Sequence, residues 1–153
     1  MKNILNSVLV LGLLSLSASA FADTCIDQAC VGNYTVDTNG NYGTIEGFNF
    51  AERTAWIHYT RATNGDGSLR PVEARGPHDV SDLYVFNISG DCIANFCVGS
   101  YVVDPQGNYG RIEAFNHNLN RAWIHFDAAD NGNGTKRSIR SNGYRDITSL
   151  TQL

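Results

Sequence analysis

Two short stretches place groups that could do chemistry close together, and both occur twice. Glu46-Gly47-Phe48 and Trp56-Ile57-His58 in the first half match Glu113-Ala114-Phe115 and Trp123-Ile124-His125 in the second. A carboxylate beside an imidazole favours the charged ring and can orient it as a base. Flat aromatic rings next to such a pair suit stacking on a sugar, peptide or proline, with the polar pair fixing orientation. No Ser or Cys nucleophile motif accompanies the pair, so no catalytic residue is assigned; a hydrolase using Glu46 and His58 is the third-ranked reading. Glu plus His supplies two metal ligands per half, short of the usual three or four, so neither metal nor other cofactor is expected.

The recurrence extends over the whole of both halves. A constant offset of 67 aligns residues 25–86 with 92–153 without gaps, and 28 of the 62 aligned positions are identical. This is a duplicated unit. Units of this size bury too little surface to be comfortably stable without staples. The four cysteines supply them: Cys25, Cys30, Cys92 and Cys97 repeat at the same spacing, and repeat symmetry favours Cys25–Cys30 and Cys92–Cys97. Each closes a short loop, for about 2 kcal/mol by loop entropy.

Short runs rich in Val, Ile, Tyr, Phe and Trp alternate with Gly/Asn/Asp clusters, which predicts an all-β fold. Strands are expected near 31–37, 42–49, 54–60, 71–75 and 83–86, and again near 98–104, 109–116, 121–127, 138–141 and 150–153. Tight turns fall at Asn39-Gly40 and Gln106-Gly107, a longer loop at Asn64–Gly67, and a single helical turn at Asp79–Asp82. Alternation sends Ala55, Ile57 and Tyr59 to the core and Trp56 and His58 to the other face. The expected register sets Glu46 opposite His58, Phe48 opposite Trp56 and Ile45 against Tyr59, with Glu113–His125 and Phe115–Trp123 repeating it. The outward aromatics then either seal an interface between the two units or form a ligand platform.

Five short strands with a helical turn before the last resemble a Src-homology-3-like small β-barrel. The runs Val-Gly-x-Tyr-x-Val-Asp and Gly-Asn-Tyr-Gly-x-Ile-Glu are similar to the strand–turn–strand core of KOW and Tudor-like barrels. The resemblance implies two tandem five-stranded barrels, at 25–86 and 92–153, joined by a linker at 87–91. The ligand motifs of those families are missing, so no binding residue follows from it.

Lys2, an apolar run from Ile4 to Leu16 and the small residues Ala18, Ala20 and Ala22 read as a signal peptide over 1–22. The run is too short for a membrane span. The chain is therefore expected to be exported, periplasmic or secreted. Residues 23–90 carry nine acids against four arginines, while 91–153 carry six of each sign. That balance disfavours nucleic acid as a partner. The expected function is a non-enzymatic binding module for cell-envelope material or an exported protein, using Glu46, Phe48, Trp56, His58, Glu113, Phe115, Trp123 and His125. The rival is an inhibitor or immunity-type protein that meets one partner through its acidic first half or the basic cluster Lys136, Arg137, Arg140 and Arg145.

Overall fold

A computed structural model describes residues 24–64, 66–86 and 88–153. The signal-peptide reading, Gly65 of the long loop and the first linker residue, Asn87, lie outside the described residues. The first repeat contains β1 (Cys25–Ile26), β2 (Ala29–Cys30), β3 (Tyr34–Val36), β4 (Asn41–Asn49), β5 (Thr54–Thr63), β6 (Leu69–Asp79), a 3₁₀ turn at Val80–Asp82, and β7 (Tyr84–Phe86). The second repeats the order as β8 (Cys92–Ile93), β9 (Phe96–Cys97), β10 (Tyr101–Val103), β11 (Asn108–Asn116), β12 (Arg121–Asp130), β13 (Lys136–Asp146), a 3₁₀ turn at Ile147–Ser149, and β14 (Thr151–Gln152). The all-β expectation holds, and among the described residues the helical content is confined to those two turns.

The arrangement corrects the expectation of two separate closed barrels. Ten strands join in one open sheet, in the order β13-β12-β11-β7-β3-β4-β5-β6, with β10 pairing β11 and β14. The joint is β7. One of its edges pairs with β3 of its own repeat, and the other pairs with β11 of the second, setting Phe86 opposite Ala114 and Val85 opposite Phe115. A strand has two edges, and β7 uses both, so the repeats share a hydrogen-bonded ladder instead of standing apart.

Both predicted disulfides form, Cys25–Cys30 and Cys92–Cys97. Each ties a two-stranded ribbon, β1–β2 or β8–β9, that the periodicity did not reveal because its strands are two residues long. The strand expected at 71–75 is longer, running 69–79. It carries Pro71 and Pro77, which it accommodates because β6 lies at the end of the sheet, where a missing N–H is tolerated.

Each repeat has its own apolar core. Ile45, Ala55, Ile57, Val80, Leu83 and Val85 fill the first; Ile112, Phe115, Ala122, Ile124, Phe126 and Leu150 fill the second. A third cluster, Val36, Tyr42, Tyr84, Ala114 and Trp123, lies between them and draws from both.

A buried aspartate organises the tight turn in each copy. Asp37 Oδ1 accepts from the backbone N–H of Asn39 (2.8 Å) and Asn41 (2.9 Å), while Oδ2 accepts from the Asn41 side chain (3.0 Å). Asp104 repeats all three bonds with Gln106 and Asn108 and adds Arg145 Nη2 at 2.8 Å. Gly40 and Gly107 follow with φ of +79° and +77°, a conformation that strains any side chain. Burial opposes the charge on Asp104, but the bonds from Asn108 and Arg145 outweigh it and hold the carboxyl below its usual range. A depressed acid stabilises the fold fully above its unfolded pKa of about 3.9, and that contribution disappears as pH falls through the folded value. Asp104→Ala should therefore cost roughly 2–4 kcal/mol at pH 7, from lost charged bonds and an unpaired Arg145. In urea unfolding, the gap between the variant and the unsubstituted chain should narrow towards pH 3.

Candidate functional site

The acid–imidazole pair forms in the first repeat, although the register that brings it together is not the expected one. Thr44, not Glu46, lies opposite His58, and Gly47, not Phe48, lies opposite Trp56. Ile45 meets Ile57 instead of Tyr59. The turn sets part of the difference by closing the ladder with Asn49 opposite Thr54, and of two bulges, one between Tyr42 and Gly43 and one that leaves Glu46 unpaired between Ile45 and Gly47, the latter sets the rest. At the first of these bulges β4 passes so close to β5 that a side chain at Gly43 would collide with the His58 carbonyl, and Gly110 stands in the same relation to His125. The bulged Glu46 still reaches His58 Nδ1 at 3.5 Å, and Arg75 binds the same carboxylate at 3.4 Å. Glu73 closes the cluster, 2.7 Å from His58 Nε2. These four groups lie in an open patch beside Trp56, which is 47% exposed.

The second bulge also corrects the placement of Phe48 and Phe115. The extra residue reverses the alternation, so Phe48 pairs with Ala55 and packs on the first core, and Phe115 pairs with Ala122 and is buried in the second. Both point away from the face they were expected to share with the histidines.

In the second repeat the same motif is enclosed. Trp123 is 3% exposed, packed edge-on to Tyr42 (6.0 Å between centroids, 82°), and its Nε1 donates to Tyr42 Oη at 3.0 Å. Burial pushes the Tyr42 hydroxyl up to about 12, with the Trp123 bond partly opposing that rise. The seal between repeats, one of the two roles weighed for the outward aromatics, is therefore the one Trp123 performs. Beside it a cleft of about 560 Å³ opens between the repeats. Glu113 and His125 line one wall with Asn142 and Arg140. The opposite wall comes from the first repeat: Tyr34, Tyr42 and Phe86, whose rings lie 5.7–6.2 Å apart, and Arg61 with Leu69 at the mouth. His125 Nδ1 is 2.6 Å from Asn142 Oδ1, a contact that fixes the ring plane. Burial raises the Glu113 carboxyl above the usual range, and the His125 charge offsets part of the rise.

Tyr34, Tyr42 and Phe86 were not among the expected site residues. Their signal was present, because Tyr34 and Tyr42 recur as Tyr101 and Tyr109, but the face they build becomes a wall only when a second repeat stands against it. The basic cluster does not act as one patch: Arg145 is held by Asp104, Lys136 lies over the Tyr109 ring at 3.5 Å, and Arg140 faces the cleft. His78 and His117 each approach a buried aspartate, Asp37 at 3.8 Å and Asp91 at 2.7 Å. No three His, Cys, Asp or Glu residues among those described converge as a metal site would need.

An acid whose folded pKa is raised destabilises the fold once it ionises, and that penalty vanishes below the unfolded pKa of about 4.3. Glu113→Gln should accordingly raise the urea midpoint at pH 7, with the advantage shrinking as the pH is lowered to about 4. A lower midpoint at pH 7 would mean that the Glu113 charge supports the fold.

Set against known proteins, the chain matches no family model, no curated protein and no solved structure.

Proposed function

We propose that this chain is an exported, non-enzymatic binding module that takes a segment of acidic cell-envelope saccharide into the cleft between its repeats. Two disulfides fit folding in an oxidising compartment, and no helix among the described residues is long and apolar enough to cross a membrane. The carrying observation is the composition of the cleft. Tyr34, Tyr42 and Phe86 offer flat apolar surface for the C–H face of a sugar ring, while Glu113, His125 and Asn142 offer hydrogen bonds to hydroxyls across from it. Two arginines, Arg61 and Arg140, line the cleft with a single carboxyl that burial makes reluctant to ionise, so the local field favours an anionic substituent on the ligand.

Glycoside hydrolysis uses two carboxyl groups flanking the bond, and Glu113 is the single carboxyl among the residues that line the cleft, which supports binding over hydrolysis. All four cysteines are oxidised, and the hydroxyl of Ser68, at the rim of the cleft, donates to Asp66 (2.6 Å) and not to an imidazole. In this reading the two Src-homology-3-like units serve as the two jaws, and the ribbons tied by the disulfides brace the start of each.

Titration calorimetry with soluble carboxylated oligosaccharides, and with their neutral counterparts, tests the reading. The acidic sugars should bind more tightly, and Tyr34→Ala or Phe86→Ala should weaken them about tenfold or more, as expected for a stacked ring. Arg140→Ala should remove most of the preference for acid over neutral sugar, and Trp56→Ala should change little. The reading fails if no oligosaccharide binds at millimolar concentration, or if Trp56→Ala is the variant that abolishes binding.

A further inference from the structure

The contact between the repeats is used once inside the chain, yet both of its halves are present twice. The donor half is the outer edge of β7 with the face made by Val36, Tyr42 and Tyr84; the acceptor half is the Ala114–Phe115 edge of β11 with Trp123. Applying the repeat offset, the second donor half is β14 with Val103 and Tyr109, and the second acceptor half is the Gly47–Phe48 edge of β4 with Trp56. Among the described residues no strand pairs with Gly47–Phe48 on that side, and β14 pairs only with β10. The unused halves also leave large apolar groups in solvent. Trp56 is 47% exposed where Trp123 is buried, Phe50 is 56% exposed, and Leu153, the counterpart of Phe86, is 64% exposed.

We infer that this surface is a docking site for a second copy of the same chain, bound head to tail so that the β14 edge of one copy receives the β4 edge and Trp56 of the next. The internal joint is the template. It sets Phe86 opposite Ala114 and Val85 opposite Phe115, so the external joint sets Leu153 opposite Gly47 and Gln152 opposite Phe48. The Trp56 indole then lies against Tyr109, as Trp123 lies against Tyr42.

Charge selects the same pairing. The exposed acceptor face belongs to the acidic repeat and carries two carboxylates, Glu46 and Glu73, against one guanidinium, Arg75; the exposed donor face belongs to the repeat that holds most of the basic residues and carries Arg111 and Lys136 over its tyrosines against one carboxylate, Asp127. The internal cleft adds a specific contact. Leu69 and Arg140 line it together, and their counterparts are Lys136 and Glu73, so a lysine of one copy faces a glutamate of the next. Across the external joint the sign is complementary where the internal joint has an apolar group against a cation. The replacement of Tyr84 by Thr151 and Val85 by Gln152 removes apolar area from the external joint, which makes it weaker than the internal one. A contact of this kind joins two different surfaces, so it continues into a ring or a filament according to whether its rotation closes.

Sedimentation of the disulfide-intact chain over micromolar to millimolar concentration provides the test. Mass should rise above that of one chain with concentration, and Trp56→Lys should weaken association about tenfold or more. Because Trp56 is already exposed, the thermal midpoint of that variant should stay near that of the unsubstituted chain. Glu73→Lys and Lys136→Glu should each weaken self-association, and an equimolar mixture of the two should recover it as mixed pairs. A single-chain mass at every concentration would overturn the proposal, as would association that Trp56→Lys leaves intact or a mixture that recovers nothing. Capture of a strand from an unrelated protein by a chain that stays monomeric would likewise assign the edge to another occupant.

Discussion

The molecule depends on one indole. Trp123 lies between the two repeats, edge-on to Tyr42, beside Tyr84, with its N–H spent on the Tyr42 hydroxyl. Burying so large a ring gives the contact its strength, and the single polar bond gives it an orientation. The short ladder between β7 and β11 holds only two residue pairs and could not orient two units by itself. Ring and ladder together fix the angle between the repeats, and that angle determines whether Glu113 and His125 face open solvent or the tyrosines of the other unit. The first repeat demonstrates the alternative. Its Glu46 and His58 bear the same side chains on the same bulged strands, but with no wall opposite they form an exposed charge cluster with Glu73 and Arg75.

The fold was legible in the sequence where physics acts locally. Glycine after an asparagine or glutamine marked the turns, alternation marked β5 and β12, and the spacing of the cysteines gave both disulfides. The bulges at Glu46 and Glu113 were not legible. A bulge adds one residue to one strand without changing composition, and it reverses which side of the sheet every later residue takes. That is why Phe48 and Phe115 were assigned to the wrong face while Trp56 and His58, on the unbulged partner strand at that point, were not. The joining of the repeats into one sheet was equally hidden, because a strand of three residues at 84–86 carries no mark of having two partners.

The candidate site was half visible for the same reason. Duplication drew attention to the Glu, His and Trp positions, and the second-repeat copies of these line or flank the cleft. The opposite wall is made by residues of the other repeat, among them Tyr34, Tyr42 and Arg61, and only the relative orientation of the repeats brings them near. Two otherwise equivalent halves have come to differ in burial, charge and partners with few changes at the motif itself. The environment, not the motif, distinguishes them.

The internal joint also says something about how such a chain could arise. A polypeptide holding one unit alone would carry the donor edge on one side and the acceptor edge with its tryptophan on the other, and neither could be satisfied within that unit. Its cleft would exist only where two molecules met, so its occupancy would vary with the amount of protein present. Fusing two units end to end places one such junction within a single polypeptide, where dilution cannot separate it. Gene duplication here did more than add a second copy of a fold: it made permanent an encounter that a lone unit could have had only in passing.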